Sequence, residues 1–302
     1  MHLVVTGGAG FIGSHIVDAF IERGWRVSVI DDLSTGNRDN VHANATLYAR
    51  DLCDPLTMDL IAELEPDVVS HHAAQIDVRK SVVDPASDAA ANIVATVRLL
   101  KTCAGKKVKR FVFASSGGAI YGEPEYAPQD EDHPTRPLSP YGCSKLAVEH
   151  YLEYFHEVHR LSAISLRYAN VYGPRQNAGN ETGVVAIFAD TLSRGEVPSI
   201  NGDGEQTRDF VHVSDVVAAN VAVIDDVSFG GAFNVGTGVE TSINALFREV
   251  AKIAGANVEP LHADEKAGEQ RRSVIDGSRL RHAAKLPRPL TLREGLEKLM
   301  AR

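Results

Sequence analysis

Tyr141 and Lys145 are the residues of this chain best suited to moving a proton. They stand four apart in a helical pattern that runs to about His159, so they share a face. A free phenol titrates near 10 and is a poor base at neutral pH, as tabulated for model peptides. An ammonium beside it favours the phenolate. Upstream, the apolar run Arg110-Phe111-Val112-Phe113-Ala114 ends in Ser115-Ser116. Hydroxyls at the carboxyl end of a central strand sit where open α/β sheets bind ligands. A Tyr141 phenolate could take a proton from an alcohol while hydride leaves the same carbon, with Ser116 donating to that oxygen. Tyr-x-x-x-Lys also occurs as a solvent-facing tyrosine beside a snorkelling lysine. The chemical reading therefore depends on whether the chain holds a hydride acceptor.

The first residues supply one. In Val4-Val5-Thr6-Gly7-Gly8-Ala9-Gly10-Phe11-Ile12-Gly13-Ser14-His15, a strand runs into glycines and a helix follows at once, to about Arg23. Gly7 allows the tight turn, Gly10 lets a pyrophosphate approach the backbone, and Gly13 lets helix and strand pack closely. The amides of Phe11 and Ile12, at the positive end of the helix, would hold the phosphates. The next strand, Arg26 to Asp31, ends in an acid placed to grip a ribose 2′-hydroxyl, which favours NAD over its 2′-phosphorylated form. The polar loop with Asp32, Ser34, Thr35 and Gly36 continues the cofactor site. Asp51 and Leu52 close a third strand; Asp51 could contact the adenine or cap the helix starting near Asp54-Pro55. After a fourth strand, Asp67 to His72, the small residues Ala73 and Ala74, then Gln75, would let the cofactor lie across the strand ends. Asn92 could bridge backbone or face the site, and Tyr168 ends a sixth strand beside it.

The elements that must position these residues follow from periodicity. Short β-type runs alternate with amphipathic stretches, the pattern of a parallel sheet covered by helices. The expected fold is a Rossmann-type doubly wound α/β sheet with a smaller C-terminal α/β substrate domain. The division falls at residues 1–170 and 171–302, with segments near 210–238 returning to the first part. Residues 84–104 read as one long helix, 184–194 as another, and 199–210 as a hairpin. In the second half, Asn170 offers an amide to a diphosphate or sugar, and Arg208 a guanidinium fork, unless Arg208 pairs with Asp209 on the surface. Arg271 lies in a second basic patch that could equally be a solvated loop.

Composition narrows the classes. The 302 residues are 44% hydrophobic and 24% charged, ordinary for a globular protein. A net charge of −9 argues against non-specific nucleic-acid binding. Cys53, Cys103 and Cys143 are few and in no metal spacing, and the 12 histidines show no ligand pattern, so no metal is expected. The chain opens as a strand, leaving no room for a signal peptide, and no apolar run reaches the ~18 residues of a membrane span. A reducing cytoplasm is the expected compartment.

The chain resembles the extended short-chain dehydrogenase/reductase family, and within it the nucleotide-sugar 4-epimerases. The matching stretches are Thr6 to Gly13; His72-Ala73-Ala74 with Ser81 and Pro85; Ser115-Ser116 with Tyr121-Gly122; Tyr141 to Lys145; Leu166 to Pro174; Arg208 to Val213 with Asp215; and Phe233-Asn234-Val235-Gly236. The resemblance implies NAD as cofactor, Ser116, Tyr141 and Lys145 as catalytic residues, and a UDP-sugar substrate gripped by Asn170 and Arg208. It implies transient oxidation of a UDP-hexose at C4 (glucose/galactose, or their 2-acetamido forms). It also implies a homodimer through the helices 84–104 and 141–159. Relatives usually carry an arginine where this chain has Lys266, so Lys266 or Arg271 would make the second phosphate contact. The position of Ser273 acts as a size gate in the relatives, and a serine leaves room for a 2-acetamido group. Gly117-Gly118 stands where dehydratases carry acids, which argues against dehydration; decarboxylases usually carry an acid there too. The chain departs from the pattern in that extra glycine and in lacking Gly-Trp before the proline of Leu286-Pro287-Arg288-Pro289. A non-catalytic NAD-binding scaffold is the rival of another class.

Overall fold

The computed structural model describes residues 1–177, 183–265 and 270–301. Its strands are β1 (His2–Thr6), β2 (Arg26–Asp31), β3 (Thr46–Ala49), β4 (Val68–His71), β5 (Arg110–Ser116), β6 (Ala163–Tyr168), β7 (Asn170–Tyr172), β8 (Ser199–Asn201), β9 (Thr207–His212), β10 (Gly231–Val235), β11 (Glu240–Ser242), β12 (Leu261–Ala263) and β13 (Arg272–Ser273). Its helices are α1 (Phe11–Glu22), α2 (Pro55–Leu64), α3 (Val78–Val83), α4 (Pro85–Ala89), α5 (Ala95–Gly105), α6 (Gly117–Ile120), α7 (Pro140–His159), α8 (Val184–Ser193), α9 (Val213–Asp225), α10 (Ile243–Ala254), α11 (Ser278–Ala283) and α12 (Leu292–Met300).

Seven strands form one parallel sheet in the order β10-β6-β5-β4-β1-β2-β3. All five residues of β1 are buried, as expected for a central strand covered on both faces. On one face, Ile16, Val17 and Phe20 of α1 pack with Val216, Ala219 and Val223 of α9. On the other, Ile61 of α2, Leu99 and Cys103 of α5, and Val148 and Leu152 of α7 share a second core. A third core joins Phe188, Phe210, Leu246, Phe247 and Leu296 around the four-stranded sheet of β7, β9, β11 and β13. The strand order reverses between β1 and β4, so their carboxyl ends open the crevice where such sheets take ligands.

One local expectation holds with a change of helix type, and two are corrected. The expected helix 84–104 runs as α4, a wider π-helical turn over Ala90–Val94, and α5, preceded by the separate α3. Asp84 both ends α3 and caps α4, accepting from Ser87 N, so the helix starts where the spacing placed it. The cap of α2 is Asp54, not Asp51, with Pro55 in the first turn. The expected hairpin 199–210 does not form: β8 pairs in parallel with β12, while β9 pairs with β7, β11 and β13. Gly202 and Gly204 between them have φ of 68° and 73°, and the chain there is held by His262 and Asn244. Two strands flanking a glycine turn look like a hairpin in sequence, but both partners here come from elsewhere.

Replacing Gly13 by alanine would put a Cβ 2.2 Å from Gly7 O, whereas a Cβ on Gly230 meets nothing within 4 Å. Urea denaturation of Gly13→Ala is expected to show a loss of ~1–3 kcal/mol, the usual cost of overpacking, with Gly230→Ala near the native value.

Candidate active site

The glycine loop is built around two close approaches. Gly7 has a φ of 69°, and a Cβ there would lie 2.6 Å from Ala73 N, so the turn after β1 rests directly on the turn after β4. Gly10 caps α1; a Cβ there would meet only Gly7 O, at 3.2 Å, leaving its outer side open. No side chain caps α1 and its first turn carries no acid, so its amides and positive dipole end suit an anion. Asp31 accepts from Ala9 N and Leu33 N, both at 2.9 Å, which fixes its carboxyl at the edge of the loop. Burial pushes its pKa up. The Gly36 backbone lies against this carboxyl, where a Cβ would be 2.7 Å from Oδ1. This cradle, open over Gly10 and closed by an acid, fits the diphosphate and ribose of NAD.

Most of the other expected cofactor residues lie in the loops after β2, β3 and β4, with Asn92 on the π-helical turn and Tyr168 at the end of β6. Asp32 accepts from the amide and hydroxyl of Ser34, and Thr35 is exposed in the same loop. Asp51 accepts from Cys53 N, while Leu52 is buried in the core. Ala73 N donates to Thr6 Oγ1, and Ala74 is half-buried. Asn92 does the bridging: its amide accepts from Gln75 N and donates to Gln75 O and to Asp88. The Tyr168 hydroxyl lies between Asn220 Nδ2, at 2.8 Å, and His72 Nε2, at 3.1 Å.

Helix α7 carries the proposed chemistry to this crevice. Ser139 caps it, accepting from Gly142 N, and Tyr141 N donates to Ser81 Oγ. A Cβ on Gly142 would lie 2.4 Å from Ala119 O, so the first turn of α7 sits tightly on α6. Lys145 is 4% exposed, and its ammonium donates to Ala114 O at 2.8 Å, at the end of β5. It lies 5.6 Å from the Tyr141 ring centre and 4.8 Å from that of Phe113. Desolvation lowers its pKa to about 8, against the pull of Asp88 and Glu149. Ser116 follows two residues after that carbonyl, so one hydrogen bond latches the tyrosine helix to the serine strand.

The substrate side converges through strand pairing. Arg208 of β9 is in register with Ser273 of β13, and Phe210 with Asn170 of β7. Ser273 is buried, and its Oγ and that of Ser116 are the atoms nearest to a Cβ placed on Gly118, at 3.7 and 4.0 Å. Asn170 Nδ2 is buried with no hydrogen-bond partner among the described residues, a donor fit for a ligand oxygen. Arg208 Nη1 donates to Thr207 O, and the Asp209 carboxylate is held instead by Thr237 and Gly238, with burial raising its pKa to about 6. Arg271 is exposed and forks onto Asp203 at 2.9 and 2.8 Å. Lys266 lies outside the described residues.

Sequence reasoning passed over the groups beneath the site. Glu149 accepts from Ser115 Oγ at 2.6 Å and Ser165 Oγ at 2.9 Å, and pairs with Arg167 Nη2 at 2.6 Å, the two side chains 9% (Arg167) and 6% (Glu149) exposed. Arg167 also donates to the Tyr121 hydroxyl, which donates to Asn234. His71 lies between Thr6 and Thr96, and burial pushes its pKa well below the usual value. A signal existed for Glu149: it continues the four-residue stripe of Tyr141 and Lys145. Among the described residues no cluster suits a metal ion, and no helix is long and apolar enough to cross a membrane.

A dinucleotide cradle at the switch point, with a serine, tyrosine and lysine at its mouth, defines a short-chain dehydrogenase/reductase of the extended kind. The chain belongs to the NAD dependent epimerase/dehydratase family, whose pattern it matches over residues 3–236, and its cofactor is NAD. It is similar to a UDP-glucose 4-epimerase of Mycolicibacterium smegmatis, 43% identical over 303 residues that span 99% of this chain and 97% of the relative. Its fold is similar to the crystal structure of UDP-glucose 4-epimerase with UDP-glucose from Thermotoga maritima (TM-score 0.96, 43% identity, 100% of this chain and 98% of the other). It is also similar to a UDP-N-acetylglucosamine 4-epimerase from Methanobrevibacter ruminantium in complex with UDP-N-acetylmuramic acid (TM-score 0.92, 36% identity, 99% and 97% covered).

Arg167→Leu leaves Glu149 as a buried, unpaired charge and is expected to cost about 3–5 kcal/mol in urea denaturation. Adding Glu149→Leu is expected to recover part of that loss.

Proposed function

We propose that the protein interconverts the C4 epimers of UDP-hexoses, UDP-glucose and UDP-galactose, and also accepts the 2-acetamido pair. The observation that carries this reading is the Lys145 ammonium held on Ala114 O beneath the Tyr141 ring, two residues along β5 from Ser116. In that setting the ammonium favours the Tyr141 phenolate, which takes the proton of the 4-hydroxyl. Ser116 hydrogen-bonds O4 and holds it towards the phenol. NAD, which the Gly7–Gly10 turn and Asp31 would hold, would supply the hydride acceptor and donor for C4. Asn170 and Arg208 keep the UDP in place while the 4-keto ring turns over. Tyr141, as the neutral phenol, then gives the proton back to O4. Gly117 and Gly118 offer no acid or base beside Ser116, so nothing at that place removes the C5 proton or protonates a C6 leaving group, as dehydration requires.

The substrate range is read from Ser273. Its small side chain faces Gly118 across from Ser116, with no bulk to exclude an acetamido group at C2. The likeness to a UDP-N-acetylglucosamine 4-epimerase supports this width. A homodimer is part of the same proposal. Val78, Val82 and Val83 on α3, Val94 on the π turn, and Tyr151, Tyr154 and Val158 on α7 are exposed apolar residues on neighbouring helices. A second copy of the chain would cover them. The free cysteines suit a reducing compartment, and the cytoplasm is the proposed location.

Proton NMR of the purified protein, without added NAD, is expected to show galacto-type anomeric signals growing from both UDP-glucose and UDP-N-acetylglucosamine. A 4-keto-6-deoxy or pentose product would replace this reading with dehydration or decarboxylation. Tyr141→Phe should lose ~10²-fold or more of the turnover, the scale of lost general acid–base catalysis. Ser273→Tyr should keep UDP-glucose turnover and lose the 2-acetamido substrate; equal loss of both would refute the gate. Light scattering should give twice the chain mass of 32.6 kDa.

A further inference from the structure

Asp88 is a charge that the chemistry described so far does not use. It is 1% exposed, on the short helix α4. Its Oδ2 accepts from Ser144 Oγ at 2.6 Å, and its Oδ1 from Gln75 Nε2 at 3.0 Å and Asn92 Nδ2 at 2.9 Å. Every one of these donors is neutral, and among the described residues no cation hydrogen-bonds Asp88. A buried carboxylate needs a compensating positive charge nearby.

The groups around Lys145 show which charge that is. From α7, Tyr141 and Glu149 share its face. From β5 it meets Ala114 O and the Phe113 ring. From the end of β4 come His71 and His72, both kept neutral by burial, His72 with a pKa of about 3. From α4 comes Asp88. Two anions therefore act on one ammonium. Glu149 is already matched, because the Arg167 guanidinium lies on it through Nε and Nη2. Asp88 has no such partner.

The hydrogen bonds of Asp88 also join two parts of the site. Ser144 is on the helix of Tyr141 and Lys145. Gln75 is in the loop after β4 that rests on the glycine turn, and Asn92 holds the backbone of Gln75 at both ends.

We propose that Asp88 is a positioning residue: it is the counter-charge that keeps Lys145 an ammonium beside Tyr141, and its three hydrogen bonds tie the cofactor-side loop to the helix that carries both. This rests on the reading of Tyr141 and Lys145 as the proton-transfer pair. Lys145 is shifted down to about 8 even with Asp88 in place. Removing the Asp88 charge lowers it further, so Lys145 loses its proton nearer neutrality and the Tyr141 phenolate loses its support. Turnover should then fall at lower pH on the alkaline side, while near pH 6 the variant stays closest to native.

The test compares Asp88→Asn, which removes the charge and keeps the shape, with Ser144→Ala, which keeps the charge and removes one tie. Two readouts are needed. The first is kcat against pH. Asp88→Asn is expected to lose ~10-fold or more at alkaline pH and under ~3-fold near pH 6, the alkaline limb moving down by ~1 unit as for loss of a close opposite charge. Ser144→Ala should lower kcat by one factor at all pH values. The second readout is independent of turnover: the ultraviolet tyrosinate step that is absent from Tyr141→Phe. It should move to higher pH in Asp88→Asn and stay in place in Ser144→Ala. If the native protein shows no epimerisation, this step alone decides the inference, so failure of the functional reading and failure of this one are told apart. A uniform loss of kcat in Asp88→Asn with an unmoved tyrosinate step would overturn it. If Asp88→Asn does not fold, Lys145→Met and the double variant decide. The double variant should melt above Lys145→Met, because the stranded carboxylate is gone; melting at or below it overturns the pairing.

Discussion

A lysine ammonium buried at the end of a central strand is the constraint that the rest of this structure accommodates. Lys145 reaches one backbone acceptor, Ala114 O, and two aromatic faces. Burial works against its proton, and a neutral amine would do nothing for the phenol beside it. The surroundings therefore have to supply negative charge without supplying water. Asp88 and Glu149 do so from two sides, and the neighbouring His71 and His72 stay neutral, adding no repulsion. The acids are in turn satisfied by hydroxyls, amides and one arginine, so that no partner competes directly for the ammonium.

The same hydrogen bonds hold the geometry. Glu149 ties Ser115, Ser165 and Arg167 together under the carboxyl ends of β5 and β6. Asp88 ties α7 to the loop after β4, and Gly7 sets that loop against the turn after β1. The cofactor crevice and the tyrosine helix are thus parts of one rigid assembly. The substrate side is attached differently, through the pairing of β7, β9 and β13, and keeps a buried unpartnered amide at Asn170. Preorganised charge on one side and an open donor on the other suit a site that must hold a reacting centre firmly and the rest of a ligand by a few directed contacts.

The glycine turn, Asp31, the parallel sheet and the Tyr141–Lys145 face were legible from the residues alone. Each rests on a short-range rule: the φ freedom of Gly7, the close helix–strand contact that only Gly13 permits, alternating periodicities, and four-residue helical spacing. Where two local rules met, the reading blurred. The apolar spacing over 84–104 gave the helix that starts at the Asp84 cap, but not the wider π-helical turn over Ala90–Val94 inside it. Gly202 and Gly204 resemble a hairpin turn, yet β8 and β9 find partners in β12 and in β7, β11 and β13.

By itself the sequence determined that this chain would carry a glycine turn opening a helix and set a phenol and an ammonium on one helical face, because those features depend on neighbours within about a turn of helix. Only the tertiary structure decided how the charges are matched. Arg271 faces Asp203 and Arg167 faces Glu149. Asn92 takes the bridging role on Gln75, one of the two the sequence left open, and Ser273 comes to lie across Gly118 from Ser116. Burial and electrostatic pairing act through space, at distances that spacing along the chain does not encode, so the environment that makes Lys145 useful could be seen only once the strands and helices were packed.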